Sequence, residues 1–142
     1  LELAGRLGPA SLPGEYHAVQ VSRHKAGVLH FGGWYGQLAY TLTGEVRPYK
    51  AERGIFDGIR PAKNFGSQGW GAFEVAARMS GIELADDTVN GGRERNAALA
   101  LNWYLNPFMR ASANVVRVLS VEGGAQAGNT PTAFQMRFQL AL

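Results

Sequence analysis

Long stretches of the chain alternate apolar and polar side chains, and this pattern constrains the fold more than any other feature. In residues 96–106, every second residue from 97 to 105 is apolar, and Asn102 and Tyr104 lie between them. The same alternation runs through residues 70–84 and 132–142. Because successive side chains of a β-strand point to opposite faces, each stretch predicts a strand with one apolar and one polar face.

The predicted strands are long enough to cross a membrane. An ordinary strand has about 5–6 residues, whereas a tilted strand spans the hydrocarbon core with about 9–11 residues. Trp34 and Trp103 stand near strand ends on the apolar face, as aromatic side chains do in outer-membrane barrels. Soluble antiparallel sheets alternate as well, so a soluble β-sheet binding module stays open as an alternative.

The composition fits such a sheet and excludes several other classes of protein. No apolar run is long enough for a transmembrane helix, and there is no cysteine for a disulfide or a thiolate site. The net charge of +3 comes from scattered Lys and Arg residues. No basic tract is interleaved with aromatics, so we expect no nucleic-acid partner. On the polar face of a barrel, scattered cations would attract anions.

Seven strands are predicted, joined as an antiparallel up-and-down meander. Their ranges are 1–7, 10–22, 32–44, 69–84, 96–106, 108–121 and 132–142. Gly8-Pro9 and Asn106-Pro107 predict tight turns at one end, and loops are predicted at the other end, at residues 23–31, 85–93 and 122–131. A bacterial outer-membrane barrel has an even number of strands. Residues 1–142 are therefore expected to be one part of a longer barrel.

Residues 45–68 form the longest irregular connection predicted from the sequence. This connection holds Pro48 and Pro61 and carries more cations than anions. A segment of this length without regular structure is usually functional or disordered. With the C-terminus on the periplasmic side, the connection would be periplasmic as well, where barrel turns are normally short.

Several segments, in order along nearly the whole chain, resemble one protein family. They are residues 6–9, 14–16, 33–35, 42–49, 54–56, 69–78 and 101–107, and the most specific are Thr43-Gly44-Glu45-Val46-Arg47-Pro48-Tyr49 and Leu101-Asn102-Trp103-Tyr104-Leu105-Asn106-Pro107. In these segments the chain is similar to the phosphate-selective porins O and P of the Gram-negative outer membrane.

The resemblance implies a sixteen-stranded, trimeric, anion-selective β-barrel of which this chain is the C-terminal part. Family members pass phosphate or polyphosphate through a lumen lined with arginines and lysines, and they can fold a long connection into the channel. The implied partners are phosphate or other small anions, outer-membrane lipid, lipopolysaccharide and further copies in a homotrimer, with no cofactor. Much of the family's central phosphate site comes from the N-terminal half of the barrel.

The candidate site residues are charges that would line such a channel. For the anion pathway and its vestibule they are Arg47, Lys50, Arg53, Arg60, Lys63 and Arg110; for lumen-facing strand positions they are Arg6, Glu74, Arg78 and Arg137. An anion that leaves water needs replacement donors and positive potential along its path, and Arg offers a planar fork matched to phosphate. The alternative for the connection is a solvated loop, with cations partly cancelled by Glu45 and Glu52.

Two ion pairs within strands are also expected, Arg78 with Glu74 and Arg6 with Glu2, because each pair shares a polar face. Arg117 follows the apolar face near the outer rim, where we expect it to meet lipopolysaccharide phosphates. The three histidines lack the spacing of metal ligands, and no nucleophile–base constellation points to an enzyme.

We therefore predict an outer-membrane β-barrel segment that passes small anions passively, phosphate or polyphosphate in particular. A general or differently selective porin of the same fold is the nearest alternative, because fold alone does not determine the solute.

Overall fold

The computed structural model of the protein describes residues 1–24, 27–66, 69–86 and 88–141. The other six residues fall in two predicted loops, in the predicted connection and at the end of the last predicted strand, so these parts of the predictions lie outside the described residues. They are Lys25, Ala26, Ser67, Gln68, Asp87 and Leu142. No helix in the described ranges is long and apolar enough to cross a membrane.

The described ranges contain nine β-strands. In chain order they are β1 (Glu2–Leu7), β2 (Ala10–Arg23), β3 (Gly27–Thr41), β4 (Tyr49–Lys50), β5 (Ile55–Phe56), β6 (Ala72–Asp86), β7 (Val89–Asn106), β8 (Met109–Glu122) and β9 (Thr132–Leu140). Seven of them form one sheet in the order β1-β2-β3-β6-β7-β8-β9, and all neighbours are antiparallel. The all-β meander of seven strands predicted from the sequence is confirmed.

Five strands of this sheet are longer than a membrane requires. β2 and β8 have 14 residues, β3 and β6 have 15, and β7 has 18. A tilted strand crosses the hydrocarbon core with about 9–11 residues. These strands therefore cover the membrane thickness and continue beyond it.

Tight turns close one end of the sheet, as predicted. β1 and β2 meet at Gly8-Pro9, where Gly8 has a φ of 54° that favours glycine. Pro107 and Phe108 join β7 to β8, and the Asn106 side-chain oxygen accepts a hydrogen bond from the Phe108 N–H at 2.8 Å. A side chain that bonds the backbone two residues further on stabilises a turn of this kind.

At the opposite end, two of the predicted loops are wrong. In place of loops at residues 23–31 and 85–93, strand pairing continues to the Arg23–Gly27 pair between β2 and β3 and to the Asp86–Val89 pair between β6 and β7. Backbone hydrogen bonds extend these hairpins past the apolar band. Outside that band both faces meet polar surroundings, so the alternation that marks a strand in the sequence is lost. The third loop, residues 123–131, lies within one residue of its prediction.

The register separates an apolar face from a polar face. Two adjacent rows that cross the sheet from β3 to β9 illustrate the separation. The apolar row is Tyr40, Val75, Leu101, Ala113 and Met136, and the polar row is Thr41, Glu74, Asn102, Ser112 and Arg137. The predicted alternation therefore corresponds to two chemically distinct sides, called here the apolar face and the polar face.

Large side chains of the apolar face are exposed. Leu99 is 61 % exposed, Phe134 82 % and Met136 90 %. A contiguous apolar surface of this kind is rarely left against water. The apolar face is therefore suited to lipid, and the polar face to an aqueous interior.

Candidate anion pathway on the polar face

The connection between β3 and β6 (residues 42–71) folds back onto one end of the sheet. The Phe65 N–H donates to the Leu105 carbonyl oxygen at 2.8 Å, and the Phe65 ring lies edge-on to Trp103 with their centroids 5.0 Å apart. Ile59 is buried in a cluster with Ala72 and Tyr104. The segment that looks irregular in the sequence is thus attached to the sheet, and it contains the short β4–β5 hairpin.

Arg47 anchors the start of the connection to the polar face. Its Nη2 lies 2.8 Å from Glu74 Oε2 and donates hydrogen bonds to Glu74 Oε1 at 2.9 Å and to Tyr104 Oη at 2.7 Å. The Glu74 side chain is 2 % exposed and the Arg47 side chain 13 %. Charges this deeply buried need a partner, so each of the two groups holds the other in place.

Polar side chains of β7 and β8 continue this contact across the sheet. Asn102 Nδ2 donates to Glu74 Oε1 at 2.9 Å, and Ser112 Oγ donates to Asn102 Oδ1 at 2.7 Å. The Tyr104 hydroxyl donates to Glu74 Oε1 at 3.4 Å. The carboxylate is therefore held directly by β7 and by the connection, and β8 supports it through Asn102.

Two arginines of the polar face are oriented by tyrosine rings. The guanidinium carbon of Arg78 lies 4.0 Å from the centroid of the Tyr35 ring, and that of Arg110 lies 5.6 Å from the centroid of the Tyr104 ring. Both distances are within cation–π reach. Arg110 Nη2 also donates to Gln139 Oε1 at 2.9 Å. The contacts fix the orientation of both side chains and leave their charges uncancelled.

The two ion pairs predicted within strands are wrong. Glu74 pairs with Arg47 in place of Arg78, and Arg6 Nη1 donates to the Arg47 carbonyl oxygen at 3.2 Å in place of contacting Glu2. Residues four apart on a strand are separated by about 13 Å along it, so their side chains meet only by bending toward each other. The connection brings Arg47 directly to Glu74.

Lys50 is also ion-paired, but at the surface. Its Nζ lies 2.7 Å from Asp57 Oδ2 across the β4–β5 hairpin. The hydrogen bond from Lys50, together with one from the Gly58 N–H at 2.9 Å, lowers the pKa of the Asp57 carboxyl. The pair connects the two short strands of the hairpin, and it leaves no net charge at this point of the connection.

Glu45 is bound by hydrogen bonds within the connection. Burial, the largest effect, would raise its pKa, but hydrogen bonds from the Thr43 hydroxyl and the Ala62 N–H outweigh it and lower the pKa. Among the described residues Glu45 and Glu52 form no ion pair with the cations of the connection. The carboxylates expected to cancel these cations therefore do so only at a distance.

Seven of the nine candidate cations have no carboxylate partner within the described residues. They are Arg6, Arg53, Arg60, Lys63, Arg78, Arg110 and Arg137. Four stand on strand positions of the polar face, and three stand on the connection. Because direct contacts do not neutralise these charges, they give the adjoining space a positive potential.

A cavity of about 360 Å³ lies between the β4–β5 hairpin and the polar face. Arg47, Arg53 and Arg78 line it together with Glu2 and Glu15. Because Arg47 is already paired with Glu74, the remaining charges of the lining are two cations, Arg53 and Arg78, and two carboxylates. The cavity itself therefore carries no net charge.

The tyrosines that orient the arginines were not singled out in the sequence. Tyr35 and Tyr104 both occupy polar-face positions in the register. An aromatic ring at such a position is a usable signal, because it often stacks with a cation or donates a hydrogen bond. Their partners remain hidden in the sequence, since Arg47 and Tyr104 are 57 residues apart.

Two of the three histidines contact carboxylates. His17 Nε2 is 2.8 Å from Glu15 Oε1, and His30 Nδ1 is 3.4 Å from Asp86 Oδ2. Within the described ranges, no three His, Asp or Glu side chains gather closely enough to hold a metal ion.

The fold and the polar face together define a class of protein. An outer-membrane channel wall has membrane-length strands in an up-and-down sheet and an exposed apolar face. Its polar face carries cations and is here partly covered by the connection. The family model described as phosphate-selective porin O and P matches residues 1–142, and the chain belongs to this family. The family comprises channels of the Gram-negative outer membrane, which places the chain there and decides against the soluble alternative.

Two relatives illustrate the similarity. Porin O of Pseudomonas aeruginosa is 34% identical over 128 residues, which cover 82% of this chain and 28% of Porin O. An uncharacterized protein of Caulobacter vibrioides is 33% identical over 114 residues, which cover 76% of this chain and 23% of the relative. The chain thus spans about a quarter of the length of the curated relatives it matches.

Proposed function

We propose that this chain forms part of the wall of a channel that passes small anions, phosphate or polyphosphate in particular, by passive diffusion. The strongest support is the set of seven cations without carboxylate partners on the polar face and the connection, within the part of the chain that is described. A positive potential along a water-filled path raises the local anion concentration and disfavours cations.

The ion-paired residues hold the pathway in shape. Arg47 and Glu74 attach the connection to the polar face, and Lys50 with Asp57 closes the β4–β5 hairpin. Each pair is neutral as a unit, so its part in anion passage is to position the surrounding charges.

The unpaired cations supply the field for the permeating anion. Arg53, Arg60 and Lys63 stand exposed on the connection and form the vestibule. Arg78 and Arg110 follow on the polar face, where the tyrosine rings keep their guanidinium groups oriented. Arg6 and Arg137 add further charge at lumen-facing positions. A planar guanidinium matches the oxygens of phosphate better than a point charge does.

We further propose that residues 1–142 are the C-terminal part of a longer, sixteen-stranded barrel that assembles as a homotrimer. The length of the relatives supports a longer barrel, as do the sheet edges at β1 and β9, which offer unpaired backbone groups to further strands. The strand number and the trimer rest on the family resemblance alone. In the proposed orientation the turn between β7 and β8 and the connection face the periplasm. The outward face then meets outer-membrane lipid and lipopolysaccharide.

Single-channel conductance of the full-length porin in planar bilayers tests the proposed function. The current is measured in chloride and again after phosphate is added. We expect anion selectivity and a chloride current that is blocked by low phosphate. The triple variant of Arg53, Arg60 and Lys63 to Gln should conduct less chloride, because it removes three unpaired positive charges from the vestibule.

The charge-matched control is a triple variant at outward-facing residues, Arg93, Arg95 and Arg117 to Gln. It removes the same net charge from the other side of the wall and should leave the current unchanged. Cation selectivity of the parent would refute the proposal. An anion current that does not respond to phosphate would support an anion-selective porin but contradict a preference for phosphate. The solute would then be another anion or a broader set of solutes.

A further inference from the structure

Arg95 and Arg117 stand on the apolar face of the sheet. Arg117 lies opposite Ala97 in the register, and Arg95 is two residues further along β7. Both therefore share the face of Leu99 and Val115, which are opposite each other in the next row. A charge near the midplane of a lipid-facing surface is strongly unfavourable, and the penalty falls away toward the interfaces. The height of the two arginines in the membrane therefore decides whether their charges are tolerated on this face.

Strand geometry places both side chains at the edge of the apolar band. On β7, the ten residue steps from Leu105 to Arg95 extend about 34 Å at about 3.4 Å per step. At a strand tilt of about 40° this is about 26 Å of height, and the apolar band of such barrels is about 25 Å tall. On β8, the eight residue steps from Met109 to Arg117 give about 21 Å of height by the same reasoning. The long arginine side chain covers the remaining distance to the interface.

These two arginines differ from the charge just beyond them. Arg93, one row further out on β7, forms an ion pair with Glu83. Within the described residues, Arg95 has no carboxylate partner, and Arg117 donates to the neutral Thr132 hydroxyl at 3.2 Å. The protein thus neutralises Arg93 itself and leaves two charges at the membrane interface for something else to neutralise.

Aromatic side chains lie in the same row as Arg95. Tyr16, Trp34 and Gly81 follow one another across the sheet to Arg95. Since Gly81 has no side chain, the Trp34 indole lies directly over it, and a Cβ added there would be 2.7 Å from Trp34 Nε1. Trp34 and Arg95 line a depression of about 120 Å³, together with the ion-paired Arg93 and Glu83 and with Glu94. Trp and Tyr favour the headgroup level of a bilayer, which agrees with the height derived from the strands.

We propose that Arg95 and Arg117 bind a phosphate group of a phosphorylated glycolipid in the outer leaflet, with its sugar against Trp34. The two arginines stand on adjacent strands as diagonal neighbours, a relation that places Cβ atoms about 7–8 Å apart in a regular ladder, and a register shift between Arg95 and Asn96 lies between them. Two guanidinium forks at this separation can converge on one phosphate through charge-assisted hydrogen bonds. The proposal rests on the orientation proposed above, and it is independent of which solute the channel passes.

Native mass spectrometry of the full-length porin in detergent, titrated with bisphosphorylated lipid A, tests the proposal. The variants are Arg95→Gln, Arg117→Gln and their combination, and Arg93→Gln is the control, because it removes the same charge from an ion-paired neighbour. Heat-modifiable mobility in gels verifies that every variant is folded. We expect the affinity for lipid A to fall by about tenfold or more in the double variant and to change by less than about twofold in the control.

Two further lipids identify the bound group. Lipid A without its phosphates should bind the parent porin no better than the double variant binds the phosphorylated form. Phosphatidylglycerol should bind more weakly than lipid A, because it lacks the sugar placed against Trp34, and equal binding of the two lipids would overturn that contact. Unchanged lipid A binding in the double variant, or an equal loss in Arg93→Gln, would overturn the proposal. Conductance of the double variant stays the same in either case, so a failure here is distinct from a failure of the proposed channel function.

Discussion

Glu74→Gln isolates the ion pair that holds the connection against the polar face. The substitution keeps the shape of the side chain and an acceptor oxygen for Asn102, which donates to Glu74 at 2.9 Å. It removes the negative charge that Arg47 contacts at 2.8 Å. Arg47 is then left as a cation whose side chain is only 13 % exposed.

The magnitude follows from the burial of both groups. Breaking a buried ion pair by removing one partner costs about 3–5 kcal/mol. The lower end, about 3 kcal/mol, applies here, because the glutamine oxygen and Tyr104 Oη, at 2.7 Å, still accept hydrogen bonds from Arg47. Each 1.4 kcal/mol or so is a factor of ten in an equilibrium constant, so the population with an open connection should rise by roughly two orders of magnitude.

Hydrogen–deuterium exchange of the full-length porin in detergent measures this opening. Amides of residues 45–66 should exchange faster in Glu74→Gln, while amides of the long strands remain protected because their ladder is intact. Glu52→Gln is the matched control, since Glu52 is exposed and carries the same charge on the same connection. Unchanged exchange in Glu74→Gln, or an equal increase in Glu52→Gln, would refute the reasoning.

Removing the cation as well tests whether the unpaired charge causes the effect. In the double variant with Arg47→Met and Glu74→Gln, no charge is left buried at this point. Exchange of the connection should then fall back part of the way toward the parent value, because the cost of a buried unpaired cation is gone. If the effects of the two changes on the exchange rate of the connection simply add in the double variant, Arg47 and Glu74 act independently.

Three further outcomes are expected from the same contacts. The pKa of Asp57 is lowered in the folded state, so the Lys50–Asp57 pair is present above the ordinary carboxylate pKa and is lost as the pH falls through the lowered value. In Lys50→Gln, an NMR titration should show the pKa of Asp57 moving back toward its ordinary value. An unmoved pKa would contradict the assignment. Tyr104→Phe removes an acceptor of Arg47 and should destabilise the closed connection by about 1–2 kcal/mol, a smaller rise in exchange than for Glu74→Gln; an equal or larger rise would place the anchor at the hydroxyl. Gly71→Ala should lower the folded yield in heat-modifiable gel assays, because Gly71 has a φ of 75° and an added Cβ would overlap the Tyr104 carbonyl oxygen; a normal yield would show that the backbone there can shift.

The strands and their faces could be predicted because lipid favours apolar side chains on one face and water favours polar side chains on the other. In β9, Phe134 and Met136 alternate with Gln135 and Arg137, and the register places the two sets on opposite faces, as predicted. The prediction of strand ends is weaker where a strand leaves the lipid and both of its faces meet water. Beyond the apolar band the hairpin of β2 and β3 continues to Arg23 through backbone hydrogen bonds, and these leave no pattern in the side chains.

Alternation and turn residues are enough to predict the all-β meander, the tight turns at Gly8-Pro9 and Asn106-Pro107, and which strand charges lie on the polar face. Which of those charges are neutralised depends on how the chain packs, because Arg47 pairs with Glu74 from 27 residues away and Arg78 stacks on Tyr35 instead. Alternation is a local property, because each residue of a strand faces one side whatever lies elsewhere in the chain. An ion pair depends on where a long connection returns to the sheet, and only the packing of the whole chain determines that.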